Sequence, residues 1–175
     1  MGWVDLGGQG LVIDALEQRS AGDAVIAAIG DTLGEVPIRT VLNTHTHYDH
    51  VALNGRFHSH FGATIVNAKT DQIPTTGRWF EGNRRRCVLL PTPDCHTPED
   101  CVVWFPEDRV LFIGDLFGWG LIPRDGNLKP DVRTLIVSTY EKVIALDAAT
   151  VVPGHGPLCS NAEMKRWLQY LDWLY

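Results

Sequence analysis

The chain has no CxxC pair among its four cysteines, Cys87, Cys95, Cys101 and Cys159. Neither a zinc ribbon nor a disulfide framework is written into it, and a reducing cytoplasm is the expected setting. No apolar stretch is long enough to span a bilayer, and no basic leader precedes a small-residue cleavage site, so a transmembrane helix, a signal peptide and a membrane partner are not expected. An excess of basic residues is also missing. The net charge is −6, where nucleic-acid binders are more often basic, so no nucleic-acid partner is expected. The one basic run, Arg84-Arg85-Arg86, reads as a solvated turn. Internal repeats, low-complexity tracts and linkers are absent as well. What is present, 45% hydrophobic and 21% charged residues over 175 positions, suffices to bury one core, so a single domain spanning 1–175 is expected.

The apolar pattern switches between the periods of strands and helices. Strands are expected at 10–13, 38–42, 63–66, 87–90, 101–105, 110–113 and 150–152. Helical spacing marks 21–33, stopped by Gly34, then 51–61 and 131–146. A last helix is expected to be capped by Asn161 and to bury Met164, Trp167, Leu168, Leu171 and Leu174. Residues 67–86 read mainly as loop, and Pro106-Glu107-Asp108-Arg109 as a hairpin turn. Interleaved elements of both kinds place the fold in the α/β or α+β class.

The densest chemistry is His45-Thr46-His47-Tyr48-Asp49-His50, which follows an apolar strand end. Three imidazoles and a carboxylate crowd one another unless a cation lies between them. On extended backbone His45 and His47 point the same way and can reach one ion; Asp49 and His50, where a helix begins, offer a second. One ion needs three or four ligands, and three further candidates follow strands: His96, Asp115 beside Gly114, and His155 between Gly154 and Gly156. His58 and His60, in the helix after the motif, read as ordinary residues. With two divalent ions outweighing two carboxylates and a hydroxide, such a site stays net positive and suits a developing oxyanion or a phosphoryl group. Bound water then ionises near a pH of ~7, and Asp49 is the candidate to orient it or accept its proton. The expected reaction is hydrolysis of an ester, thioester, lactone, amide or phosphodiester of a small-molecule substrate.

The ordered motifs HTHYDH, CHTP, LFIGDL and VVPGHGP resemble those of the metallo-β-lactamase-fold hydrolase superfamily over about residues 10–175, and most nearly its broad glyoxalase-II-like branch. The resemblance implies an αβ/βα four-layer sandwich with two mixed sheets. It implies that His45, His47 and His96 bind one metal, that Asp49, His50 and His155 bind a second, and that Asp115 bridges them. The ions expected are two divalent metals, zinc first, with iron or manganese as alternatives. Cys95, beside His96, is not expected to ligate. Thr44, Thr46, Thr97 and Asp14 are candidates to orient the imidazoles. Tyr48, Trp79, Phe80, Phe117, Trp119 and Arg124 are candidates to shape a pocket.

The chain departs from that family in two places. Residues 1–6 supply only one of the strands that normally precede Asp14, so a shortened N-terminal sheet is expected, with a homodimer across its exposed edge as a corollary. Beyond His155 there is one helix and no glutathione-binding helical region. Phe117-Gly118-Trp119-Gly120 stands where related enzymes carry a GCGRTDF-like segment or, at Gly118, an aromatic hydroxyl. Alternatives to hydrolysis are a mononuclear non-haem iron oxidoreductase of the sulfur dioxygenase kind, and a metal-binding remnant without catalysis.

Overall fold

The computed structural model describes residues 1–119 and 130–174, with side chains described to residue 171. In chain order the elements are β1 (Gly2–Asp5), β2 (Gly10–Ile13), α1 (Gly22–Leu33), β3 (Ile38–Leu42), α2 (Tyr48–Val51), α3 (Asn54–Phe61) and β4 (Thr64–Val66). They continue with β5 (Arg78–Glu81), β6 (Arg86–Pro91), β7 (Cys101–Phe105), β8 (Val110–Gly114), α4 (Pro130–Ile144), β9 (Thr150–Pro153) and α5 (Asn161–Leu174).

The strands form two sheets. The first has the order β1-β2-β3-β4, the second β5-β6-β7-β8-β9. Both are mixed. In the first, only the β1–β2 pair is antiparallel; in the second, only β8–β9 is parallel. The four-layer arrangement follows from the period of two along the strands. On β2, Leu11 and Ile13 face Cys87, Leu89, Cys101, Val103 and Phe105 of the other sheet, while Val12 turns outward to α1 and α3. On β7, Val102 and Trp104 turn outward to α4 and α5. Each sheet is thus apolar on both faces, with helices outside and the two sheets packed together within. The fold is an α/β four-layer sandwich. Among the described residues no helix is long and apolar enough to cross a membrane.

Three local expectations need correction. The helix expected at 51–61 is broken at Ala52–Leu53, because their amides donate to Leu16 O (3.2 Å) and Ala15 O (2.9 Å) rather than up the helix. The segment 67–86 contains β5, whose mostly exposed residues, Arg78-Trp79-Phe80-Glu81, hide an edge strand. Ser160, not Asn161, caps the last helix: its Oγ accepts from the Ala162 amide (3.2 Å), and Glu163 reaches back to the Ser160 amide (3.0 Å), a capping box. The Asn161 side chain instead donates to Ile144 O (2.9 Å) and ties α5 to the end of α4. Met164 and Leu171 are buried as expected, and Trp167 and Leu168 pack against the same cluster. Leu174 lies outside the described side chains. Arg84, Arg85 and Arg86 pair with Asp5, Asp108 and Glu107 at the surface.

Candidate metal centre

The end of β3 and the start of β7 come together at one end of the sandwich. There the Cys101 amide at the start of β7 donates to Thr44 O beyond β3 (2.7 Å). Seven side chains converge at this junction. His45 and His47 follow β3, Asp49 and His50 open α2, His96 lies between β6 and β7, and Asp115 and His155 follow β8 and β9. Four of the seven come from a single loop of the first sheet; the other three are delivered by separate segments of the second.

Their donor atoms form two groups, each with all atoms within 4.8 Å of one another: His45, His47, His96 and Asp115, and Asp49, His50, Asp115 and His155. Asp115 belongs to both. Its Oδ2 lies 3.5 Å from His96 Nε2 and 3.4 Å from His155 Nε2, and its Oδ1 lies 3.2 Å from His50 Nε2. Asp49 Oδ2 is 3.1 Å from His155 Nε2. His96 Nε2 and His47 Nδ1 are 3.0 Å apart.

Glycine makes this crowding feasible. Gly114 has φ +58, and a Cβ there would lie 2.5 Å from Thr44 Oγ1; a Cβ on Gly154 would collide with Asp115 Oδ1. The Gly154 amide donates to Gly114 O (2.7 Å), locking the turns that carry Asp115 and His155 side by side.

Beneath the donors, Asp14 orients both buried imidazoles. It ends β2 in the left-handed region (φ 56), which Asp tolerates. Its Oδ2 lies 3.0 Å from His50 Nδ1, and its Oδ1 accepts from the Thr44 amide (2.8 Å). Thr44 Oγ1 donates to Asp14 Oδ2 (3.0 Å), which leaves it to accept from His45 Nδ1 (3.2 Å). Both rings therefore turn Nε2 to the centre. Of the other candidate supports, Thr46 bonds to Glu99, and Thr97 donates to Asp100 (2.5 Å).

The residue that sequence reasoning missed is Asp100, a buried carboxylate that also accepts the amides of His96 (2.5 Å) and Thr97 (2.8 Å). The Thr-x-x-Asp spacing after His96 was its only signal. Asn43 was missed too; fully buried, it donates to His50 O (3.1 Å). Tyr140 anchors the loop after Asp115 by donating to Leu116 O. His58 bonds Ala63 O away from the centre, and Cys95 belongs to the apolar cluster under α4 and α5. Of the expected pocket residues, Tyr48 is exposed under Arg19, and Trp79 and Phe80 lie on β5 against Arg86 and Arg78. Arg124 lies outside the described residues.

Electrostatics show that the centre calls for a cation. Burial, then the neighbouring His50, pushes His45 down to about 4. Burial pushes His50 down too, but Asp115 and Asp14 overcome it and raise His50 to about 10. Burial would raise Asp115, yet His50, His45 and His155 pull it down to about 2. Without metal, a proton on His50 supplies the positive charge. It does so poorly: His45 Nε2, His50 Nε2 and Asp115 Oδ1 are buried without a full hydrogen-bond partner, His50 Nε2 and Asp115 Oδ1 meeting only as a 3.2 Å ion pair. A cation would engage all three, and imidazole with carboxylate suits zinc or iron.

The chain is similar to known proteins. The family model described as the metallo-beta-lactamase superfamily matches residues 1–94 and 66–155. A hydroxyacylglutathione hydrolase from Methylococcus capsulatus is 29% identical over 183 residues; the match takes in 91% of this chain but 65% of that protein's length. Among solved structures, a metallo-beta-lactamase from Pontibacter korlensis superposes with TM-score 0.78 at 18% identity, covering 97% of this chain and 85% of that one. The peroxy diiron species of the chemotaxis sensor ODP gives 0.76 at 17% identity, covering 97% and 89%. At these identities the two structures speak for the fold alone.

Proposed function

Since the chain belongs to the metallo-beta-lactamase superfamily, we propose that it is a metal-dependent hydrolase of an ester, thioester, lactone, amide or phosphodiester bond. The observation that carries this reading is the pair of donor groups sharing Asp115 around three buried, unpartnered polar atoms. Thioesters are the first class to test, because the matched relative is named a hydroxyacylglutathione hydrolase. A reducing compartment suits the four cysteines, none of which is in a disulfide.

In this proposal His45, His47 and His96 hold one divalent ion, Asp49, His50 and His155 hold the other, and Asp115 spans both. Such ions, when bound, supply Lewis acidity toward a carbonyl or phosphoryl oxygen and a water of lowered pKa. Asp14 and Thr44 keep a proton on Nδ1 of His50 and His45, so that each Nε2 presents a lone pair to the centre. Asp49, a third exposed and opposite His155, is placed to align an attacking water and take its proton. His155, 45% exposed, marks the side from which substrate arrives.

Elemental analysis of the purified protein with a panel of thioesters, esters, lactones and phosphodiesters tests the proposal. Two zinc per chain and turnover of at least one class are expected. A second reading, an iron oxidoreductase, draws on the likeness to the diiron sensor. Iron in place of zinc, with oxygen consumption and no hydrolysis, would favour it. No turnover in the fully loaded protein would leave a metal-binding fold without catalysis.

A further inference from the structure

Four residues beyond Asp115, Trp119 straps the loop that carries His155. Its backbone amide donates to His155 O (3.0 Å) and its indole Nε1 to Pro157 O (2.9 Å). The indole lies flat where Gly156 has no side chain: a Cβ there would come 2.5 Å from Trp119 Cδ1, on backbone at φ +93. Behind Trp119 the aromatic rings form a series. Phe117 meets Trp119 edge-on at 5.6 Å and Trp167 at 6.0 Å, and Trp167 stacks on Tyr170 at 5.2 Å.

These rings enclose an open slot of about 260 Å³, with Glu163 and Arg166 at its rim. The rim charges are committed. Glu163 accepts from Ser160 Oγ (2.7 Å) and from Arg166 Nη1 (3.2 Å), so neither is aimed into the slot as a lone charge. The walls are thus mainly aromatic, and two of the rings are exposed large hydrophobic residues: Trp119 is 46% exposed and Tyr170 40%. Large aromatic faces left open beside a reactive centre serve to stack flat groups. The slot adjoins the loop that carries His155, because Trp119 lines the slot and its backbone amide is bonded to the half-exposed His155.

We propose that this slot seats a planar aromatic arm of the substrate, so that the enzyme prefers esters or thioesters carrying an aryl group over their small aliphatic counterparts. The proposal rests on the hydrolase reading for the chemistry, but not for the slot. Stacking against one ring contributes about two- to tenfold in affinity, and Trp119 and Tyr170 each provide one wall.

The zinc-loaded protein is assayed on phenylacetyl and acetyl thioesters of one thiol. The expected result is a kcat/KM at least about tenfold higher for the phenylacetyl substrate, most of it in KM. Tyr170→Ala and Trp119→Ala should each shrink that ratio about two- to tenfold. A merely structural role would lower both substrates in proportion and leave the ratio alone, and that outcome overturns the slot, as does an absent aryl preference. If neither thioester is turned over, the thioester class fails by itself, and calorimetric titration of the zinc-loaded protein with 2-naphthol, an uncharged aryl alcohol, decides the slot. Binding that weakens in Tyr170→Ala supports it; no binding, or binding indifferent to Tyr170, overturns it.

Discussion

The two sheets contribute to the centre in opposite ways. The first delivers four donors from six consecutive residues, braced from below by Asp14, Thr44 and Asn43. The second delivers three donors from segments far apart in sequence, each fixed by its own device: Asp100 under the His96 turn, the Gly114–Gly154 contact beside Asp115, and Trp119 against His155. A contiguous motif concentrates risk, because one supporting carboxylate governs two imidazoles. A dispersed set spreads it over several independent supports. Neither donor group is built by one sheet alone.

Asp115→Ala breaks the comparison outright, since it removes the one donor common to both groups; metal content should fall and hydrolysis drop to background. Full activity in that variant would sink the two-ion proposal. Asp14→Ala should act on both buried imidazoles and weaken metal binding about 10- to 100-fold. Competition with a chelator measures it, and an effect no larger than that of Asp100→Ala would contradict the concentration of control at Asp14. Acidity probes the same side. His50 must lose its proton to ligate, and without metal it titrates at about 10. Affinity should therefore rise with pH through the neutral range, about tenfold per unit for one released proton; a flat dependence would show that His50 does not ligate. Asp100→Ala should disturb only the His96 turn, at a cost of about 1–3 kcal/mol in thermal or denaturant unfolding. Smallest is Ser160→Ala, which removes the α5 cap for about 0.5–2 kcal/mol and should leave chelator competition unchanged.

The same contrast governs what was legible in the chain. HTHYDH announced itself, because donor density within six residues has no packing explanation. His96, Asp115 and His155 were each ambiguous alone and were found through the motifs around them. The buried strands could be read from apolar runs such as Val102-Val103-Trp104. Strand β5 could not, because Arg78-Trp79-Phe80-Glu81 lies at a sheet edge and shows no buried face. The break at Ala52–Leu53 was hidden because its cause is tertiary: two amides captured by Leu16 and Ala15. Ser160 and Glu163 did spell a capping box, and Asn161 drew attention from it. Asp100 was missed for a similar reason to the helix break, since two of its partners are amides of a turn whose shape the sequence does not state.

Because each group of donors spans the junction of residues 2–66 with residues 78–155, a bound ion would be a rivet between the two halves of the chain as well as a reagent. It would add to the apolar core between the sheets and to the bond from Cys101 N to Thr44 O. Mechanical integrity would then track the supply of free metal: resistance to unfolding should climb with the logarithm of ion concentration above the dissociation constant, so the same ion would set both durability and chemistry.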